Sequence, residues 1–249
     1  MKNKSCILSA VCVLALLFSS CITNRQKLYL QNDANGIPYR KTPFEQYKLG
    51  VNDEIIYYLI TTSQETQYLY NGNQRAVNQG QIAFRIYDDG CVILPTIGKV
   101  KIAGLNIREA ERVITEQFKS IVVDAEVKIA LNNNYFYVEG NGGKGQFYVY
   151  KEDLNIFQAM AMAGDISSTG DKQHIKLIRR GEDGIDHIKT FDLREKTIIG
   201  SEYYYIRPND VIYIPENPNA FFRVDSISSF ISFVVAPLSL VMMALSYFK

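Results

Sequence analysis

Tryptophan is absent from the 249 residues, and histidine occurs only twice, at His174 and His187. Neither histidine sits at a metal-ligand spacing, and no Ser/His/Asp or Cys/His set stands out, so nothing marks a metal centre, a cofactor site or a catalytic nucleophile. An excess of one charge is also missing: Lys and Arg total 27 against 26 Asp and Glu, with no basic block to hold a nucleic acid. Disulfides are excluded by position. Of four cysteines, Cys6, Cys12 and Cys21 crowd into the first 21 residues, which leaves Cys91 without a partner in the rest of the chain. Cys91 therefore reads as a small apolar strand residue.

What is present begins with tyrosine, which occurs 17 times. Tyrosine suits strands and wet interfaces, with contacts to sugar rings as the alternative. Both ends of the chain are apolar. Lys2 and Lys4 precede an apolar run from Ile7 to Phe18 that is too short for a permanent membrane span and suits an export signal. The run closes on Leu17-Phe-Ser-Ser-Cys21, which resembles the lipobox of bacterial lipoproteins. That resemblance implies cleavage before Cys21, lipidation of Cys21, and stable anchoring by more than one acyl chain. An ordinary secretory signal with an incidental cysteine is the alternative.

Residues 1–20 thus read as a signal peptide and 21–43 as a polar tether. Structure begins near Tyr47, where Asn52-Asp53 launches an apolar, aromatic strand. The polar stretch from Thr61 to Gly80 reads as a loop or irregular hairpin. Ile82 to Leu94 reads as a hairpin about Asp89-Gly90, with Ile82, Phe84 and Ile86 on one face. Asn106 and Glu109 form a capping box for a helix whose face carries Ile107, Ala110, Val113, Ile114, Phe118 and Ile121. Alternation at Val123, Ala125, Val127, Ile129 and Leu131 predicts a strand with one wet face.

Asn132-Asn-Asn134 marks a boundary. Beyond it, Gly140, Gly142 and Gly145 satisfy G-x-G-x-x-G, but a strand rather than a helix follows, so the glycines read as a turn and not as a dinucleotide site. Asn155 and Gln158 form a second capping box, for a short buried helix from Ile156 to Ala163 that ends at Gly164. His174–Arg180 and Ile185–Asp192 read as a strand pair. Tyr204-Tyr-Ile-Arg-Pro-Asn-Asp-Val-Ile212 repeats the pattern of Tyr47-Lys-Leu-Gly-Val-Asn-Asp-Glu-Ile55; reuse of a strand-turn-strand unit is one reading, and coincidence in a short match is the alternative.

Three segments are similar to the polysaccharide export outer-membrane lipoproteins, the Wza-like family. They are Tyr47 to Ile56, the run Asp88-Asp-Gly-Cys-Val-Ile-Leu-Pro-Thr-Ile-Gly-Lys-Val-Lys-Ile-Ala-Gly-Leu105 with its helix, and residues 135 to 216, which resemble a soluble-ligand-binding (SLBB) β-grasp domain. The resemblance implies an α+β chain of two small periplasmic domains: an export domain at 44–132 and a β-grasp domain at 133–216. A C-terminal transmembrane helix would follow within 217–249. The chain departs from the family at Glu139-Gly-Asn-Gly-Gly-Lys-Gly-Gln146, which puts ligand contact by that loop in question.

Ser226 to Phe248 carries no charge. As one helix it would cross a hydrocarbon core of about 30 Å at roughly 1.5 Å per residue. Ser232, Ser239 and Ser246 recur at seven-residue intervals and share a face, toward either a pore or a seam between helices. The function so implied is a conduit rather than an enzyme: a homo-oligomeric ring in the outer membrane, lipid-anchored, with its body in the periplasm. It would export capsular or exopolysaccharide and engage an inner-membrane polysaccharide co-polymerase or chain-length regulator. The alternatives are a non-channel, membrane-anchored sugar-binding or scaffold lipoprotein and, third, a polysaccharide-processing enzyme.

Overall fold

In the computed structural model of the chain, residues 28–31, 43–71, 82–181, 183–218, 235–236, 239, 241–243 and 246–247 are described. The strand expected after Asn52-Asp53 is β1, Glu54–Ile60, with Ile55 and Leu59 fully buried. It lies between β2, Phe84–Arg85, and β5, Glu126–Leu131, in an antiparallel sheet ordered β2-β1-β5. The stretch after Thr61 is not only loop. It forms a helix, α1, Gln64–Asn71, that buries no residue fully. Ser63 caps its start by accepting from the Thr66 N–H at 3.3 Å. Tyr70 anchors it edge-on against Phe118, with ring centroids 5.8 Å apart.

The expected hairpin is rearranged. Gly90 turns the chain at φ 77°, but the returning strand β3, Cys91–Leu94, pairs along its length with β4, Gly98–Lys101, and meets the incoming chain through the Ile86–Val92 bridge and the Tyr87 N–H, which donates to the Cys91 carbonyl at 2.9 Å. Ile82 lies outside the core, 74% exposed. Helix α2, Ile107–Lys119, has the predicted Asn106/Glu109 capping box and buries Ala110, Ile114 and Phe118 against this sheet. Ile121 and Val123 fall beyond the helix and before β5, and both are exposed. The alternating face of the last strand therefore starts at Ala125.

The second sheet runs β7-β6-β10-β8-β9, from Gly145–Tyr148, Tyr135–Gly140, Val211–Ile214, Ile175–Arg180 and Asp186–Phe191. Only β6 and β10 are parallel. The glycine-rich stretch is the turn between β6 and β7, and sterics demand its glycines. A Cβ on Gly143 would stand 1.3 Å from the carbonyl oxygen of Ala163, and one on Gly140, at φ 105°, would stand 2.1 Å from that of Ile214. Helix α3, Ile156–Ala163, has the predicted Asn155/Gln158 capping box and ends on Gly164 at φ 95°.

These two sheets and the β3-β4 pair belong to one compact unit, Leu30–Pro215. Each residue of the asparagine triplet makes a distinct tie there. The Asn132 side-chain amide donates to Glu54 Oε2 at 2.8 Å. Asn133 Oδ1 accepts from the Glu54 N–H at 3.1 Å. The Asn134 side-chain amide donates to the carbonyl of Val149 at 2.8 Å.

The expected transmembrane helix finds no support here: among the described residues no helix is long and apolar enough to cross a membrane. In the tail, residues 235–236, 239, 241–243 and 246–247 are helical, and the positions between them lie outside the described residues. Cys21 and Ser232 lie outside them too.

Candidate functional site

The two copies of the repeated pattern fold alike. Asn52 and Asn209 both turn the chain in the left-handed region, at φ 73° and 67°. The next residue, Asp53 or Asp210, is buried, and its carboxylate accepts from the backbone N–H three residues earlier, Gly50 or Arg207, at 2.8 Å in both cases. Leu49 and Ile206 fill equivalent core positions, as do Ile55 and Ile212. The likeness extends to the helices. Lys48 bridges Asn106, the cap of α2, and Tyr205 bridges Asn155, the cap of α3. The Leu49 N–H donates to the carbonyl of Leu105 at 2.9 Å, and the Ile206 N–H donates to that of Leu154 at 2.8 Å. The chain orders differ: the turn precedes its helix in the first unit and follows it in the second.

Asn133 stands where the units meet, its amide 3.4 Å from Asp53 Oδ1 and 3.5 Å from Asn209 Oδ1. Phe44 packs edge-on against Tyr205 at 5.3 Å between centroids, and Glu45 lies 3.7 Å from the Arg207 guanidinium. A cleft of about 340 Å³ opens beside this seam. Its walls are the strap Pro43–Tyr47, the start of α2 at Asn106–Arg108, the run Tyr148–Glu152 and the segment Tyr205–Pro208.

Buried charge holds two of these walls. On one, the Tyr47 hydroxyl donates to Asp53 Oδ2 at 2.7 Å. Burial, with the neighbouring Asp53 carboxylate, pushes the Tyr47 phenol up. Burial pushes the Asp53 carboxyl up as well, against hydrogen bonds from Gly50, Tyr47 and Asn133. On the other wall, Arg179 of β8 forms a two-pronged pair with Asp210, at 2.9 and 2.6 Å. Its remaining N–H groups donate to the carbonyls of Glu202 and Tyr205 at 3.1 and 2.7 Å, and its guanidinium lies 5.1 Å from the centre of the Tyr203 ring. Burial pushes the Asp210 carboxyl up, opposed by Arg179 and the Arg207 N–H. One buried arginine thereby fixes the backbone that presents Glu202 and Tyr205 to the cleft.

Of the residues singled out in the tail, Ser239 and Ser246 are exposed and helical. Each hydroxyl donates to the carbonyl three residues earlier, Ala236 or Met243, at 2.7 Å. His174 and His187 each face an aspartate, Asp171 at 2.7 Å and Asp183 at 3.1 Å, without converging. Among the described residues no group of three or more His, Cys, Asp or Glu side chains is arranged to hold a metal ion. Sequence reading missed the cleft. Its one legible trace is Tyr148-Val-Tyr150, in which a buried Val149 separates two exposed tyrosines.

Residues 41–132 match the family model described as polysaccharide biosynthesis/export protein. The matched segment contains β1 to β5, α1 and α2, and ends at the asparagine triplet. Over these residues the chain is thus similar to a polysaccharide biosynthesis/export domain.

Proposed function

We propose, with the polysaccharide biosynthesis/export domain as the premise, that this chain is a subunit of an oligomeric outer-membrane lipoprotein channel carrying capsular or exopolysaccharide from periplasm to cell surface. The observation that carries the reading is the family match over residues 41–132. Sequence features at both ends support it: the lipobox-like Leu17 to Cys21 and the uncharged stretch from Ser226 to Phe248. Division of the body into an export domain at 44–132 and a β-grasp domain at 133–216 belongs to the same proposal. So do lipidation of Cys21 and the placing of Ser232, Ser239 and Ser246 at a pore or helix seam. In this reading the protein moves a polymer and catalyses no reaction. Its partners are further copies of itself, the polysaccharide, membrane lipid and an inner-membrane co-polymerase.

Truncation after Asn217 tests the reading. Cells making only the shortened chain should still assemble repeat units yet lose surface glycan; unchanged surface glycan would exclude the channel. Conductance in planar bilayers separates a channel from a scaffold lipoprotein.

A further inference from the structure

We infer that the cleft between the two repeated turns is a glycan subsite that holds a short run of neutral pyranose rings. Its substrate class rests on the export reading above; its location and chemistry rest on the side chains.

The cleft volume of about 340 Å³ falls in the range of small-molecule sites, roughly 300–1,000 Å³. Its aromatic groups are already in place. Tyr148 and Tyr150 are 52% and 56% exposed, and both line the cleft. The chain between them is pinned by two hydrogen bonds with Asn134: the Val149 carbonyl accepts from the Asn134 side chain at 2.8 Å, and the Val149 N–H donates to the Asn134 carbonyl at 2.9 Å. Tyr135 braces the Tyr148 ring at 5.6 Å between centroids. Across the cleft, Tyr205 is wedged between Phe44 and Tyr204. Rings held this way lose little freedom when a ligand stacks on them. The apolar C–H face of a pyranose is the natural complement of a fixed tyrosine face.

The charged groups of the lining point to the same class. Glu45, Glu152 and Glu202 accept hydrogen bonds, while Arg108, Lys151 and Arg207 donate them. Sugar hydroxyls do both, so they suit a mixed wall. A polyanion or a basic peptide would be served by one sign and repelled by the other. The balance of three acids and three bases therefore favours a neutral sugar segment over a uronate chain. The binding elements come from both the export domain and the five-stranded sheet, so an occupied subsite would also bridge the two.

The test uses the full chain in detergent, titrated calorimetrically with maltohexaose, cellohexaose, mannohexaose and, as the anionic counterpart, trigalacturonate. At least one neutral oligosaccharide should bind, and bind more tightly than trigalacturonate. Tyr150→Ala and Tyr148→Ala should each weaken that binding roughly tenfold. Tyr87→Ala, an equally exposed tyrosine outside the cleft, should leave it within about twofold. Arg108→Ala removes an exposed donor and should weaken binding without altering thermal stability. The inference is overturned if no neutral oligosaccharide binds, if trigalacturonate binds better, or if both tyrosine variants bind normally. It is also overturned if they change the size of the assembly, which would make the cleft a contact between copies. Loss of the export reading shows separately, as surface glycan that survives the tail truncation, whatever the calorimetry gives.

Discussion

Two stretches of this protein, Tyr47–Ile55 and Tyr204–Ile212, solve one packing problem with different chemistry. Each buries an aspartate behind a left-handed asparagine and docks the residues before the turn on the cap of a helix. In the first, the aspartate is met by neutral donors: the Gly50 N–H, the Tyr47 hydroxyl and the Asn133 amide. In the second it is met by the Arg179 guanidinium in addition to the Arg207 N–H. The difference teaches that the turn requires the carboxylate, because its oxygen satisfies a backbone N–H inside the turn. How the rest of that carboxylate is satisfied is left to the neighbourhood. At Asp210 the chosen partner also reaches across to Glu202 and Tyr205, so that turn is coupled to the cleft wall.

The sharpest way to break the comparison is to remove the partner. Arg179→Met should leave Asp210 buried without its counter-charge and cost about 3–5 kcal/mol, read as a fall in the urea midpoint. Arg179→Met combined with Asp210→Asn should recover much of that loss, because the stranded charge is gone. Tyr47→Phe, the corresponding deletion in the first unit, should cost about 1–3 kcal/mol, as expected for one lost donor to a part-buried carboxylate.

The next effect is one of pH. Asp53 and Asp210 both have carboxyls raised above the ordinary 3.8 by burial. The folded chain then holds those protons more tightly than the unfolded chain does. Their contribution is present in full below pH about 4 and is lost as pH rises through the raised values. Asp124 acts with the opposite sign. Bonds from the Thr62 hydroxyl, the Thr62 N–H and the Thr61 hydroxyl hold it down at about 2, so its contribution fades as pH falls from about 4 toward 2. Thermal melts taken upward from pH 4, compared between the parent chain and its variants, therefore read the two buried aspartates. Asp53→Asn should flatten part of that decline, with the remainder belonging to Asp210. An unchanged slope in Asp53→Asn would show that Asp53 takes no part in the decline and that Asp210 carries all of it.

How far the sequence disclosed this depends on the range of each interaction. The capping boxes were legible because Asn106 and Glu109, or Asn155 and Gln158, are three residues apart and a helical turn brings them together. The repeated Asn-Asp turn was legible for the same reason. That each turn docks on the cap of a helix was not, because Lys48 and Asn106 meet only in the folded chain and the order is reversed for Asn155 and Tyr205. Helix α1 escaped notice because its eight residues bury none fully and leave no apolar stripe to read. At Ile82 and Val123 the alternation extends past the ends of the real strands, so the pattern there overstates their length. The cleft was illegible for a plainer reason: its walls come from segments far apart in sequence, and only Tyr148-Val-Tyr150 carries a local pattern.

The helix caps allow a smaller and more even test. Asn106→Ala and Asn155→Ala each remove a side-chain acceptor from the third helical N–H, at 2.9 and 3.0 Å. Each should cost about 1 kcal/mol, within the 0.5–2 kcal/mol seen for such caps. If the units are equivalent, the two losses should agree within a few tenths of a kcal/mol and add in the double variant, as expected for well-separated sites. A much larger loss at Asn155 would mean that the eight-residue α3 leans on its cap more than the thirteen-residue α2 does.

The smallest effect comes from the turning residue itself. Asn52 and Asn209 sit at φ 73° and 67°, where a Cβ is unfavourable by roughly 1–2 kcal/mol and asparagine is tolerated better than most residues. Glycine removes that penalty but makes the unfolded chain more flexible, so the two terms oppose and the net change should stay below about 1 kcal/mol. Side-chain contacts then decide the sign. Asn52 Oδ1 accepts from the Arg85 guanidinium, at 3.0 Å from its Nε, whereas Asn209 Oδ1 has only the 3.5 Å approach of Asn133. Asn209→Gly should therefore be neutral or slightly stabilising, and Asn52→Gly slightly destabilising. Asn→Ala at either site should be worse than Asn→Gly, because alanine keeps the Cβ and loses the local polar contact. Urea midpoints for the four variants test this ordering. If Asn52→Gly proves the more stable of the two glycine variants, the Arg85 contact is not what distinguishes the turns.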